Sequence, residues 1–305
     1  MNKKVPILIT CDLDPTPEIS LEDKQKSLEK TQRLFDEYGI KATFFIVANL
    51  AENYRSAIRQ FSDEGHEIGC HGLTHEEEEE YHILPEDVQR EYLKQATAII
   101  ENVSRNPVRS FRGPRVKTSH TTQKILEELN YSSDCSVCSQ RIDFISSNFI
   151  KPGWIFAPRL PYHPSDKNAF KKGNRKILVV PVSAIILPFI SGSLYIFGLG
   201  FMKKFFDILY KESKNTRKPI VYLMHPTEFT TETKKIVYKK SISDIKARGF
   251  YIRRRFKLRK NENERLHQTK CLLDHMDTYA DINFITVTQY VKSIDHDYNN
   301  VTLPP

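Results

Sequence analysis

Residues 66–75 read HEIGCHGLTH. Ile68-Gly69-Cys70 is a short, largely apolar run of strand character, and it leads into two histidines four positions apart, His71 and His75. Three other apolar runs end on residues of catalytic type. Residues 5–10, VPILIT, lead into Asp12 and Asp14; Phe111 is followed by Arg112; residues 219–224, PIVYLM, lead into His225. Segments of helical period lie between them. Ser20 opens a capping-box pattern, and Leu28, Leu34, Phe35 and Tyr38 carry an apolar stripe as far as Gly39. The same reading predicts helices over 50–64, 85–103, 118–129 and 263–279, and strands over 42–47, 67–70, 177–182 and 283–287. Residues 143–175 carry no clean period. Strand–helix alternation over the whole length predicts an α/β fold with a mostly parallel sheet, open or closed. In such folds the C-terminal ends of the strands line one rim, so the catalytic-type residues should converge there.

Asp12 and Asp14 are two apart and face one side of an extended chain. Two carboxylates pointing at two histidines are costly without a cation between them. His71 and His75 reach one ion if their segment makes a helical turn. One aspartate then completes a two-histidine, one-carboxylate site with open positions, a donor set suited to catalytic zinc or a divalent metal of similar habit. The other aspartate is left free as a base. Against this stand plainer readings: an aspartate that caps a helix, an Arg112 that only bridges a carboxylate, a His225 satisfied in the core. The run Glu76–Glu80 reads as a solvated helix entrance, and Cys11 and Cys70 as small core residues.

The 305 residues suit one α/β barrel, with a basic helical segment near 246–280. A net charge of +8 favours an anionic partner. The five cysteines form no disulfide framework, and the lone C-x-x-C at Cys135 and Cys138 lacks the second pair a structural zinc site needs. The N-terminal apolar run is too short for a signal peptide, which points to a reducing cytoplasm. Residues 177–201 carry no charge, but Pro181, Pro188, Gly192, Gly198 and Gly200 interrupt them. A strand, a loop and a helix are therefore expected there ahead of a membrane-touching loop or a span. The run from Arg253 to Lys260 is strongly basic. It reads as a solvated surface, or as a contact for a diphosphate or an anionic membrane, with nucleic acid ranked last.

The stretches LITCDLDP, KATFFIVA, GHEIGCHGLTH, SFRGPR and VYLMHP resemble, in order, the motifs of the NodB-like polysaccharide deacetylases, carbohydrate esterase family four. The resemblance implies a distorted (β/α) barrel of about seven parallel strands and a metal-dependent hydrolase that deacylates amino sugars. It implies Asp12 as catalytic base, Asp14, His71 and His75 as metal ligands, Arg112 as the holder of the base and His225 as catalytic acid. Leu223, Pro114, Arg115 and His163 are expected at the substrate, His163 also as a competitor of His225. The family's adjacent aspartate pair is here split by Leu13, so the two roles are open to exchange. Its aspartate–tryptophan motif has no clear copy; Trp154 is the only tryptophan, and Asp134, Asp143 and Asp166 are candidate partners for His225. An N-acylated amino sugar, free in a glycan or linked to a nucleotide or lipid precursor, is the expected substrate. Deformylation of a lipid-linked amino sugar and an inactive glycan-binding barrel are the alternatives.

Overall fold

The computed structural model describes residues 4–141, 152–231 and 260–301. Strands β1 (Val5–Leu13), β2 (Thr43–Ile46), β3 (Glu67–Cys70), β4 (Ser110–Phe111), β5 (Ser133–Asp134), β6 (Leu178–Val179) and β7 (Ile220–Met224) form one parallel path in the order β7-β1-β2-β3-β4-β5-β6. A short strand β8 (Ile282–Phe284) pairs with the first residues of β1. Between β6 and β7 the ladder is irregular. The gap is spanned by the following loop: the Ser183 amide donates to Val221 O at 3.2 Å, and Ile190 forms a single bridge to Leu223. Seven parallel strands in a distorted barrel are therefore present, as the sequence led us to expect.

Side-chain alternation along β1 separates two apolar layers. Ile7, Ile9 and Cys11 face outward and pack, with Phe44 and Ile46, against helices α1 (Leu21–Glu37), α2 (Arg55–Asp63), α3 (Glu86–Ser104), α4 (His120–Glu128), α5 (Leu199–Thr216) and α6 (Glu262–Asp277). Leu8 faces inward and meets Phe45, Cys135, Leu178 and Val221. The floor of this inner layer is closed by helix α7 (Val287–Val301), whose Val287, Tyr290 and Val291 pack up against it. The N-terminus of α7 is tied to the sheet. Its Val287 amide donates to Thr43 Oγ1 at 3.0 Å, and its Thr288 amide to the Glu67 carboxylate at 2.9 Å.

Several boundaries differ from those expected. The helix expected over 50–64 is broken: Ala48–Ala51 and a 3-10 turn precede α2. The last strand stops at Phe284, because Thr286 and Gln289 exchange capping hydrogen bonds and start α7, which periodicity missed. Residues 177–201 divide into β6, a tight hairpin (Ala184–Ile185 with Leu187–Pro188), a short helix Ser191–Phe197 and the start of α5. Among the described residues no helix is long and apolar enough to cross a membrane. Of the basic segment, residues 262–277 are α6; Arg253 to Arg259, like Asp143, lie outside the described residues.

His66 just before β3 is a structural histidine. It is wedged among the rings of Phe35, Phe44 and Phe61, and its Nδ1 accepts the Ala42 amide at 3.0 Å. Burial, helped by the positive charge of Lys41, pushes its pKa down to about 4. A depressed pKa means that the unfolded chain takes up the proton first. Stability is therefore full above pH ~6.5 and falls as pH drops towards ~4, by roughly 3 kcal/mol. Thermal melts over this range should show that loss, and His66→Gln, which keeps an acceptor for Ala42, should flatten it.

Candidate metal and catalytic site

Above the inner apolar layer sits a buried polar one. Thr10 and Asp12 follow Leu8 on the inward face of β1. Arg112 leaves the end of β4, lays its guanidinium 4.3 Å from the Phe45 ring centre, and donates to Asp12 Oδ1 at 2.7 Å, Thr10 Oγ1 at 3.0 Å and Cys135 O at 3.2 Å. Arg112 is fully buried and Asp12 is 3% exposed. These bonds aim one oxygen of Asp12 at Arg112 and leave the other, Oδ2, 3.9 Å from His71 Nε2.

Asp14, His71 and His75 converge beside it. One ligand-type atom from each lies within 4.8 Å of the others. His71 Nε2 is 3.1 Å and His75 Nε2 3.6 Å from Asp14 Oδ1, an oxygen that is buried and has no hydrogen-bond partner. His71 Nδ1 lies 2.6 Å from the Arg112 carbonyl, so that nitrogen carries the proton and Nε2 presents its lone pair to the cluster. An orphaned carboxylate oxygen facing two imidazole nitrogens fits a divalent cation. On its fourth side His225 Nε2 stands 3.5 Å from Asp14 Oδ2. Burial alone would raise the Asp14 pKa, but the neighbouring imidazoles of His75, His225 and His71 hold it well below the usual carboxylate range. Burial would lower His225, yet Asp14 and Glu228 carry it up to about 10.

The histidine segment is not a helical turn. The chain bends at Gly72 (φ +81°) and His75 adopts φ 62°. A Cβ at Gly72 would lie 2.6 Å from the Glu79 carboxylate and 2.9 Å from Pro114, so only glycine fits. The expectation of a solvated glutamate run is corrected here. Glu76–Glu78 are exposed, but Glu79 is buried and accepts the Leu73, Thr74 and His75 amides at 2.6–2.7 Å together with the Tyr81 hydroxyl. Glu80 pairs with Lys117 and Arg115. A carboxylate surrounded by backbone donors is what fixes the strained loop that carries His75.

Arg115 is likewise committed to that loop, donating to the carbonyls of Glu76 and Glu79 at 2.9 Å, which opposes its expected place at the substrate. Pro114 lies over Gly72. Leu223 joins Trp154, Val137 and Tyr162 in a small apolar cluster, with Val116 and Ile190 packed against it. His163 is not brought to this rim. It is exposed, and its ring contacts the Ile177 carbonyl at 3.2 Å, at the N-terminal end of β6 and so at the opposite end of the barrel. Nor do the described candidate aspartates reach His225. Asp134 is spent on Thr118, Gln123 and the Ser136 amide, and Asp166 is exposed beside Arg175. The group that does stand there is Glu228, with Oε1 3.4 Å from His225 Nδ1. Sequence reasoning missed it, although its spacing from His225 across Pro226 was a legible signal.

His71→Ala or His75→Ala should abolish tight binding of a divalent metal while the protein still folds, because neither ring belongs to the apolar core. Elemental analysis after dialysis would check this. Glu79→Gln should lower metal affinity about tenfold by loosening the 73–75 loop, read by competition with a metallochromic dye.

The family profile described as polysaccharide deacetylase matches residues 2–133. Among solved structures, the fold is similar to a Mycobacterium smegmatis protein described as a polysaccharide deacetylase, at 13% identity over 97% of this chain and 92% of that chain, TM-score 0.62. It is similar also to one from Pseudomonas aeruginosa PAO1 with the same description, at 14% identity over 95% and 91%, TM-score 0.61. The PuuE allantoinase shares the fold as well, at 15% identity over 95% and 90%, TM-score 0.60. The profile match runs from β1 to the start of β5, the stretch that carries Asp12, Asp14, both histidines and Arg112, and the rest of the described chain continues the barrel: over that stretch the chain is similar to the polysaccharide deacetylases, and it shares the fold of the solved structures named above.

Proposed function

We propose that the protein is a metal-dependent amide hydrolase that removes an N-acyl group, acetyl first, from an amino sugar of a cell-envelope glycan or its precursor. The observation that carries this reading is the different surroundings of the two aspartates. Asp14 faces His71 and His75, whereas Asp12 is held by Arg112 with one oxygen left towards the cluster. That favours Asp14 as ligand and Asp12 as base over the exchanged assignment. Two imidazoles and one carboxylate with open positions suit zinc first among divalent metals. A cation held there would polarise the acyl carbonyl and lower the pKa of the attacking water.

The remaining steps belong to the chain. Asp12 takes the proton of the attacking water, and Arg112 keeps it oriented. His225, protonated between Asp14 and Glu228, donates to the departing nitrogen. Leu223 and its apolar neighbours line the place of the acyl methyl. A carboxylic acid and a free amine result. Asp12→Asn should retain metal and lose at least 100-fold in kcat, whereas Asp14→Asn should lose metal. The reverse pattern would exchange the two roles. Acetate and formate released from nucleotide-linked and lipid-linked N-acyl amino sugars would separate deacetylation from deformylation. Release of neither acid by the zinc-loaded protein from any of these substrates would favour an inactive binding barrel.

A precursor substrate suits a protein whose five cysteines are unbridged, as in a reducing cytoplasm. Peripheral contact with an anionic membrane is part of this reading. Phe201, Lys204, Ile208 and Lys211 are exposed along one face of α5, with Phe197 exposed just before it. Apolar rings flanked by lysines bind anionic interfaces at about 1 kcal/mol per basic residue. The protein should sediment with anionic vesicles and be released by ~1 M salt, where the screening length falls to ~3 Å. Phe201→Ser with Ile208→Ser should weaken that binding.

A further inference from the structure

We propose that Glu228 is the positioning residue for His225, and that the uncharged segment before α5 supplies the clasp that holds it. The inference deepens the hydrolase reading and rests on it. His225 directly follows β7, and Pro226–Phe229 form a 3-10 turn after it. Glu228 is the third residue of that turn, and its Oε1 stands 3.4 Å from His225 Nδ1. Pro226 at the start of the turn has no amide to lose there.

The carboxylate is not left to solvent. It is 6% exposed. Ser191 donates to Oε1 at 2.9 Å and Tyr195 to Oε2 at 3.2 Å, both from the short helix Ser191–Phe197. The backbone of the turn is pinned from two other elements. Arg265 of α6 donates to the Glu228 carbonyl at 2.5 Å and to the Thr230 carbonyl at 2.9 Å, and Lys30 of α1 donates to the Phe229 carbonyl at 3.0 Å. The two clasp hydroxyls donate to the carboxylate, which stays an acceptor for His225 Nδ1. With Nδ1 turned to Glu228, Nε2 is the nitrogen that faces Asp14 and the place of the scissile bond. Glu228 thereby sets which nitrogen of His225 works at the substrate and at what angle, without touching the reacting atoms itself.

The test separates this assignment from the hydrolase reading. In zinc-loaded protein labelled with 15N-histidine, long-range imidazole spectra should show a proton held on His225 Nδ1. Glu228→Ala should shift that resonance or bring it into exchange with solvent, while the His71 and His75 signals and the zinc content stay unchanged. This readout needs no substrate. On a hydrolysed N-acetyl amino sugar, Glu228→Gln should lower kcat by 10- to 1000-fold with KM within about twofold, and Glu228→Asp should recover part of the loss. The double variant Ser191→Ala, Tyr195→Phe should fall between wild type and Glu228→Gln. An unchanged His225 spectrum in Glu228→Ala, or wild-type kcat in a folded Glu228→Gln, would overturn the proposal. A normal His225 response in a protein that releases no acid from any substrate would overturn the hydrolase reading instead.

Discussion

The buried ion pair between Arg112 and Asp12 is the constraint around which the site is built. Taking both charges out of water costs several kcal/mol each, and their attraction compensates only if the remaining hydrogen-bonding groups are also met. The barrel meets most of them. Thr10 comes from the same strand as Asp12, the Cys135 carbonyl from the end of β5, and the Phe45 ring lies beneath the guanidinium. Breaking such a pair from one side strands a buried charge at about 3–5 kcal/mol. The polar layer therefore works as a gauge for the strands beneath it: β1, β2, β4 and β5 must hold their register for the pair to close. Once it closes, the carbonyl of Arg112 is in place to orient His71, so scaffold and site are set by the same residue.

A second carboxylate plays the matching part for the loop. Glu79 draws three successive amides inward and lets His75 keep a left-handed backbone that would cost ~1 kcal/mol or more in isolation. The glutamate run thus contains two kinds of residue. Three face solvent, and the other two fasten the loop to the barrel.

Much of this was legible in the sequence. The period-2 alternation of β1 and the position of polar residues at the ends of apolar runs located Asp12, Asp14, His71, His75, Arg112 and His225, because burial imposes those patterns locally. What was not legible depends on tertiary partners. Glu79 is indistinguishable from Glu78 until Gly72 and Pro114 close over it. Arg115 reads as a free cation until the 76–79 carbonyls surround it. The strands β4 and β5 are two residues long and leave almost no periodic trace. His163 was misplaced because an H-P pair looks alike at either end of a strand.

The floor of the barrel has a consequence for how the molecule comes into being. β1 takes partners in β7 and β8, which follow it much later in the chain, and α7 closes beneath it. Pairings between such distant segments are slow to form and cannot begin until the last of them has left the ribosome. Asp14, His71 and His75 emerge early, whereas His225 and its 3-10 turn come out late. A nascent or C-terminally shortened chain would thus present the acidic and imidazole groups without the group assigned to protonate the leaving nitrogen. Assembly order keeps the complete set of site residues for the finished barrel.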